Sequence, residues 1–114
     1  MKIKLLKSKI HRATITDACL DYEGSISVDE KLIHAAHMVP YEKVHVLNVT
    51  NGNRLETYII PSKKNGEICI NGAAAHLVSP KDIVIIVSYA QMTIEESKGF
   101  QPTVIYPNPN NQII

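Results

Sequence analysis

The amino-acid sequence predicts a mainly β protein, a small closed β-barrel with a few short helices. Three observations carry that prediction. Short β-branched runs recur between turn signals along the chain, and the helical patterns last only one to three turns. The longest apolar run, Ile83–Val87, has five residues. That suits a strand buried on both faces and is far too short to span a bilayer. At 114 residues the chain holds one domain, residues 1–114, with a single modest core.

The elements follow in order. Residues 2–15 read as extended, with alternating charge in Lys2-Ile3-Lys4-Leu5. Ser27-Val28-Asp29-Glu30 is a capping-box pattern that opens a short helix through Met38. Val28, Leu32, Ala35 and Ala36 fall near helical spacing, and Pro40 stops the helix. Val44–Val49 reads as a strand and Arg54–Ile60 as its return. Between them Thr50-Asn51-Gly52-Asn53 is a hairpin turn, because Asn-Gly adopts positive φ at low cost. Asn65-Gly66 marks a second turn before a strand at Glu67–Ile70. Thr93-Ile94-Glu95-Glu96 repeats the capping box, with Gly99 as the stop. Val104–Tyr106 reads as a last strand, and the Pro- and Asn-rich tail from Pro107 is expected to fray.

Composition excludes several function classes. Twelve Lys+Arg stand against 11 Asp+Glu, for a net charge of +1, so no basic face for duplex nucleic acid is expected. Five Tyr, one Phe and no Trp leave no stacking platform for single strands. Cys19 and Cys69 form neither a CxxC pair nor a zinc-like spacing and read as free thiols. His34 and His37 share a helix face but lack a third ligand nearby, so no metal is expected. Met1–Lys9 carries lysines without the apolar stretch of a signal peptide, which makes the cytoplasm the expected address.

Four segments offer chemistry, each beside a plainer alternative. Tyr22-Glu23-Gly24-Ser25 is a turn where a turn is wanted, or a backbone site. In the second case the Gly24 carbonyl, with no Cβ beside it, is open to attack by the Ser25 hydroxyl. Arg54 is a solvated strand charge, or a planar fork that grips a carboxylate by paired hydrogen bonds. A regular strand puts Tyr58 on the Arg54 face and Thr57 on the other. Thr57 then joins the same site only at a bulge or across a subunit boundary. Asn71-Gly72-Ala73-Ala74-Ala75-His76 is a turn with a small-residue helix, or an anion cradle built from exposed backbone N–H groups. Lys9-Ile10-His11-Arg12 is a solvated strand end, or positive charge for an acidic substrate.

These segments, with Asn48-Val49-Thr50-Asn51-Gly52 and Asp82-Ile83-Val84-Ile85-Ile86, run in an order that identifies a family. Over about residues 9–90 the chain resembles the pyruvoyl-dependent aspartate 1-decarboxylases. It departs at Lys81, where a glycine is expected. The resemblance implies a six-stranded double-psi β-barrel, assembled as a homotetramer with sites between subunits. It implies a proenzyme that cleaves itself into residues 1–24, the β chain, and 25–114, the α chain. Gly24, Ser25 and Thr57 serve that cleavage, and Ser25 becomes a covalent pyruvoyl group, with no metal and no pyridoxal phosphate. Catalysis falls to position 25, through a Schiff base with L-aspartate, and to Tyr58 as proton donor. Lys9, Arg54, Thr57, Gly72, Ala73 and Ala74 bind substrate, with His11, Tyr22 and Asn71 in support. The products are β-alanine and carbon dioxide, which places the protein before pantothenate and coenzyme A; a maturation helper is left open. Two rival readings are a non-enzymatic β-barrel binding an acidic ligand or a protein, and a metal-dependent hydrolase using His34, His37 and His76.

Overall fold

Alternating segments fold as strands because every second side chain is buried while the backbone pairs sideways. The computed structural model describes all 114 residues. It places β1 at Lys2–Thr14, β2 at Asp17–Cys19, β3 at Ser25–Asp29, β4 at Lys43–Asn48, β5 at Arg54–Ser62, β6 at Ile68–Asn71, β7 at Ile83–Thr93 and β8 at Thr103–Ile105. Helix α1 spans Glu30–Ala35, α2 spans Ile94–Ser97, and Gly72–Leu77 coils as a 3₁₀ helix.

All eight strands join one sheet, in the order β2-β6-β3-β5-β4-β7-β1-β8. The six strands of four residues or more match the number expected, and the three-residue β2 and β8 add one at each end. Only Ile15 and Thr16 separate β1 from β2. Both still pair, Ile15 N donating to Asp82 O at 2.8 Å and Thr16 N to Ile68 O at 2.8 Å. One continuous run therefore pairs with β7 near one end of the order and with β6 near the other. The sheet wraps round a core in which Ile10, Ile26, Val46, Ile59, Ile70 and Ile86 are wholly buried. No helix is long and apolar enough to cross a membrane.

Several expectations change in detail. Helix α1 is capped by Asp29 rather than Ser27. One Asp29 oxygen accepts from Lys31 N at 2.9 Å and the other from Gly66 N at 2.7 Å, so a single carboxylate fixes the helix start and the Asn65-Gly66 turn together. Ser27 and Val28 belong to β3, and the Ser27 hydroxyl is engaged by Asn71. At Thr93 the capping box forms as the sequence predicts, and Thr93's hydrogen bonds hold the Glu96 carboxyl below its ordinary value. Strand β7 runs past Val87 to Thr93, because Ser88 and Gln91 break the apolar run without breaking the pairing to β1. Lys81 sits at φ 78, the left-handed region that favours glycine, which accounts for the glycine expected there.

The tail does not fray as expected. Asn111 is buried, its Oδ1 accepting from Thr14 N at 2.7 Å while its Nδ2 donates to Thr14 O at 2.7 Å and Gly66 O at 2.8 Å. This amide stands in for a neighbouring strand, pairing both backbone groups of Thr14 where β1 ends. Asn111→Ala orphans half-buried backbone groups of Thr14 and Gly66 and is expected to cost about 2 kcal/mol of unfolding free energy, read by denaturant titration. A midpoint like that of the parent chain would show the tail to be a bystander.

Candidate active site

Antiparallel pairing of β3 with β6 sets Ser25 opposite Asn71 and Ser27 opposite Cys69, so four polar side chains share one face. Asn71 stands where the 3₁₀ helix begins but makes no capping bond. Its Nδ2 instead donates to Ser25 Oγ and to Ser27 Oγ, each at 3.0 Å. Ser25 Oγ in turn donates to Glu23 O at 3.2 Å. Ser25 is 2% exposed, whereas Gly24 is open to solvent. A buried, oriented hydroxyl thus lies beside the peptide that precedes it.

Gly72 makes that arrangement fit. A Cβ at position 72 would stand 2.7 Å from Gly24 Cα, 2.9 Å from Gly24 N and 3.1 Å from Tyr22 O. Gly72 also has φ 83. The two glycines bring the 22–25 turn directly against the start of the 3₁₀ helix, where the first N–H groups lack partners within the helix. Of the predicted cradle, Gly72 is buried, Ala73 exposed and Ala74 half-buried.

Parallel pairing of β3 with β5 sets Ile26 beside Ile59. The same register continued backwards brings Ser25 level with Tyr58 and Gly24 level with Thr57. Along β5, Leu55 and Ile59 are buried and Thr57 falls on their face, while Arg54, Glu56 and Tyr58 share the other, as strand alternation predicts. The Tyr58 ring tilts against Tyr41, with centroids 6.3 Å apart.

The other candidates lie elsewhere in the chain. Arg54 borders an open cleft of about 350 Å³ with His45, Leu47 and Glu56. It is four residues along β5 from Tyr58, or ~13 Å at the usual strand rise. Lys9 on β1 lies in a row with Val87, His45 and Glu56, three strands from β5, or ~14 Å at the usual spacing. His11 sits edge-on to Tyr106, centroids 5.5 Å apart, and its buried Nδ1 has no partner. The Tyr22 ring is solvent-exposed. One chain thus gathers Gly24, Ser25, Asn71 and Gly72, with Thr57 and Tyr58 alongside; Arg54, Lys9 and His11 stand apart.

The aspartate decarboxylase family model matches residues 1–114, the whole chain. The chain belongs to the aspartate decarboxylase family. Aspartate 1-decarboxylase of Campylobacter fetus is 52% identical over 99% of this chain and 98% of its own length. That of Bacteroides thetaiotaomicron is 57% identical over 96% and 94%, and that of Syntrophus aciditrophicus 55% identical over 99% and 98%. The chain is an enzyme of the carboxy-lyase class.

Two residues of this decarboxylase face escaped the sequence reading. In the sequence Ser27 reads as a helix cap and Cys69 as a free thiol; only the β3–β6 register reveals both beside Asn71. The glycine contact yields a direct expectation. Gly72→Ala forces a methyl into Gly24 at a φ that alanine resists, so it is expected to destabilise the fold by about 2 kcal/mol. It should also displace the 22–25 turn, visible as shifted amide resonances of Glu23 and Ser25. Unmoved resonances would mean that the close approach is dispensable.

Proposed function

We propose that the chain is a proenzyme that cleaves itself between Gly24 and Ser25 and then decarboxylates L-aspartate to β-alanine. The observation that carries this reading is the buried Ser25 hydroxyl, held by Asn71 beside a Gly24 that only glycine at position 72 can accommodate. Ser25 Oγ attacks the Gly24 carbonyl carbon, and the C–N bond of that peptide breaks as the C–O bond forms. Loss of the Ser25 Cα proton expels the Gly24 carboxylate, which ends the 1–24 piece. Water then replaces the nitrogen, released as ammonia, and leaves a keto group at the head of 25–114. Thr57, level with Gly24, polarises the carbonyl under attack.

The residues fit the resulting group: position 25 is enclosed, and Gly72, lacking a Cβ, lets the Gly24 turn close directly against it. When formed, the pyruvoyl ketone supplies an electron sink for the pair left by departing carbon dioxide. Tyr58, on the Ser25 face by register, returns a proton to the α-carbon. Arg54 and Lys9 bind the substrate's carboxylates, and the N–H groups of Gly72, Ala73 and Ala74 add backbone contacts. His11, Tyr22 and Asn71 support this set.

Arg54 lies four residues along β5 from Tyr58, and Lys9 three strands from β5 along the sheet. That separation supports a homotetramer in which one subunit supplies the hydroxyl and its neighbour the cations. The expected address is cytoplasmic, the product β-alanine a precursor of pantothenate. The test is intact-mass measurement under denaturing conditions together with an assay of β-alanine formation from aspartate. Two fragments and β-alanine are expected; a single uncut chain that still makes β-alanine would refute the self-made group.

A further inference from the structure

The Asn71 amide must point one way for self-cleavage to proceed, and its serine partners bias that direction only through the Ser25–Glu23 bond. The two ends of an asparagine amide are nearly equal in shape but opposite in chemistry, NH₂ donating and oxygen accepting. The Ser27 hydroxyl donates or accepts with equal ease, and the Ser25 hydroxyl, whose one proton goes to Glu23 O at 3.2 Å, would meet a flipped amide by giving up that bond. The remaining polar neighbour is the Cys69 thiol, 3.3 Å from Asn71 Oδ1 and buried. Building on the self-cleavage reading above, we propose that Cys69 is a positioning residue: its S–H donates to Asn71 Oδ1 and so turns the Asn71 NH₂ toward Ser25.

The direction matters at the moment of attack. As Ser25 loses its proton, negative charge grows on Oγ. An N–H aimed at that oxygen strengthens into a charge-assisted hydrogen bond. The flipped amide would face the same charge with its own oxygen and oppose it. The observed pattern is self-consistent: Cys69 donates to Asn71, Asn71 to Ser25 and Ser27, and Ser25 to Glu23 O. The thiol keeps its proton at neutral pH. Its pKa is pushed up to about 11, first by burial and then by the Asp17 and Glu67 carboxylates. The pairing places it for the task, since Cys69 faces Ser27 as Asn71 faces Ser25.

The test follows the appearance of the 25–114 fragment by intact mass in freshly purified full-length chain. Cys69→Ala and Cys69→Val remove the donor and are expected to slow cleavage by about five- to tenfold, the weight of one hydrogen bond. Cys69→Ser restores a donor and is expected to recover most of the rate. In an Asn71→Ala background, Cys69→Ala is expected to add no further slowing, because its effect travels through the amide. Thermal unfolding checks that each variant is folded. Should the two donor-free variants not fold, the serine variant decides, a rate several-fold below the parent's overturning the proposal. It is overturned equally if alanine cleaves as fast as the parent, or if the slowing persists without Asn71. A parent chain that never cleaves removes the reading beneath it, an outcome told apart because no variant can then differ.

Discussion

Ser25→Ala is expected to leave the chain whole and inactive. The folded protein should survive the change, because Asn71 Nδ2 keeps its bond to Ser27 Oγ and the Glu23 carbonyl lies in an exposed turn. The hydroxyl's two hydrogen bonds contribute about 1–2 kcal/mol to stability, against a core that is untouched. Chemistry, in contrast, loses the nucleophile proposed for that peptide. Gly24 offers no side chain, and Glu23 O accepts the very hydrogen bond that orients Oγ. Denaturing mass spectrometry should therefore show one species of 12.7 kDa, less the mass of one oxygen. The same sample should form no β-alanine and take up no hydroxylamine. Two fragments from the alanine variant would remove Ser25 from the reaction altogether. Fragments absent but turnover intact would mean instead that cleavage and decarboxylation are separate matters.

Much of this arrangement is legible in the sequence, and the reasons divide by range. Turns and caps depend on residues a few positions apart, so Thr50–Asn53, Asn65-Gly66 and the Thr93 box were readable from local chemistry. The alternation of β5 was readable for the same reason, and it separated Thr57 from Arg54 and Tyr58. The start of α1 was misplaced because Ser27 and Asp29 are both good caps, and the choice was made by distant partners, Asn71 for one and Gly66 for the other. The tail misled by composition alone: Pro and Asn look like fraying, yet Asn111 pairs with Thr14, almost the whole chain away. Asn71 stands out in the sequence by its neighbours, and the job it does, holding Ser25, comes from strand pairing. Lys81 stands out in the sequence as a departure from an expected glycine, and its left-handed φ explains that expectation.

Tyr58→Phe is expected to cleave normally and to lose nearly all turnover. Phenylalanine keeps the ring, so the packing against Tyr41 and the β4–β5 pairing of Tyr58 with Lys43 persist. The phenol makes no hydrogen bond within the chain, so its loss orphans no buried group, and folding should be nearly neutral. Self-cleavage as proposed draws on Ser25, Asn71 and Thr57, none of which needs that oxygen. Decarboxylation as proposed does need it, because an α-carbon that has lost carbon dioxide must receive a proton before product can leave, and Tyr58 is the proposed donor. A positioned general acid contributes ~10²–10⁴-fold, and that is the fall in kcat expected. KM should change little, since the carboxylates are held by other groups, so kcat and kcat/KM should fall together. This split separates the proton donor from a merely structural tyrosine, whose removal would weaken binding or slow cleavage first. Turnover within a few-fold of the parent would assign the proton to another group, and an uncut chain would place Tyr58 in processing instead.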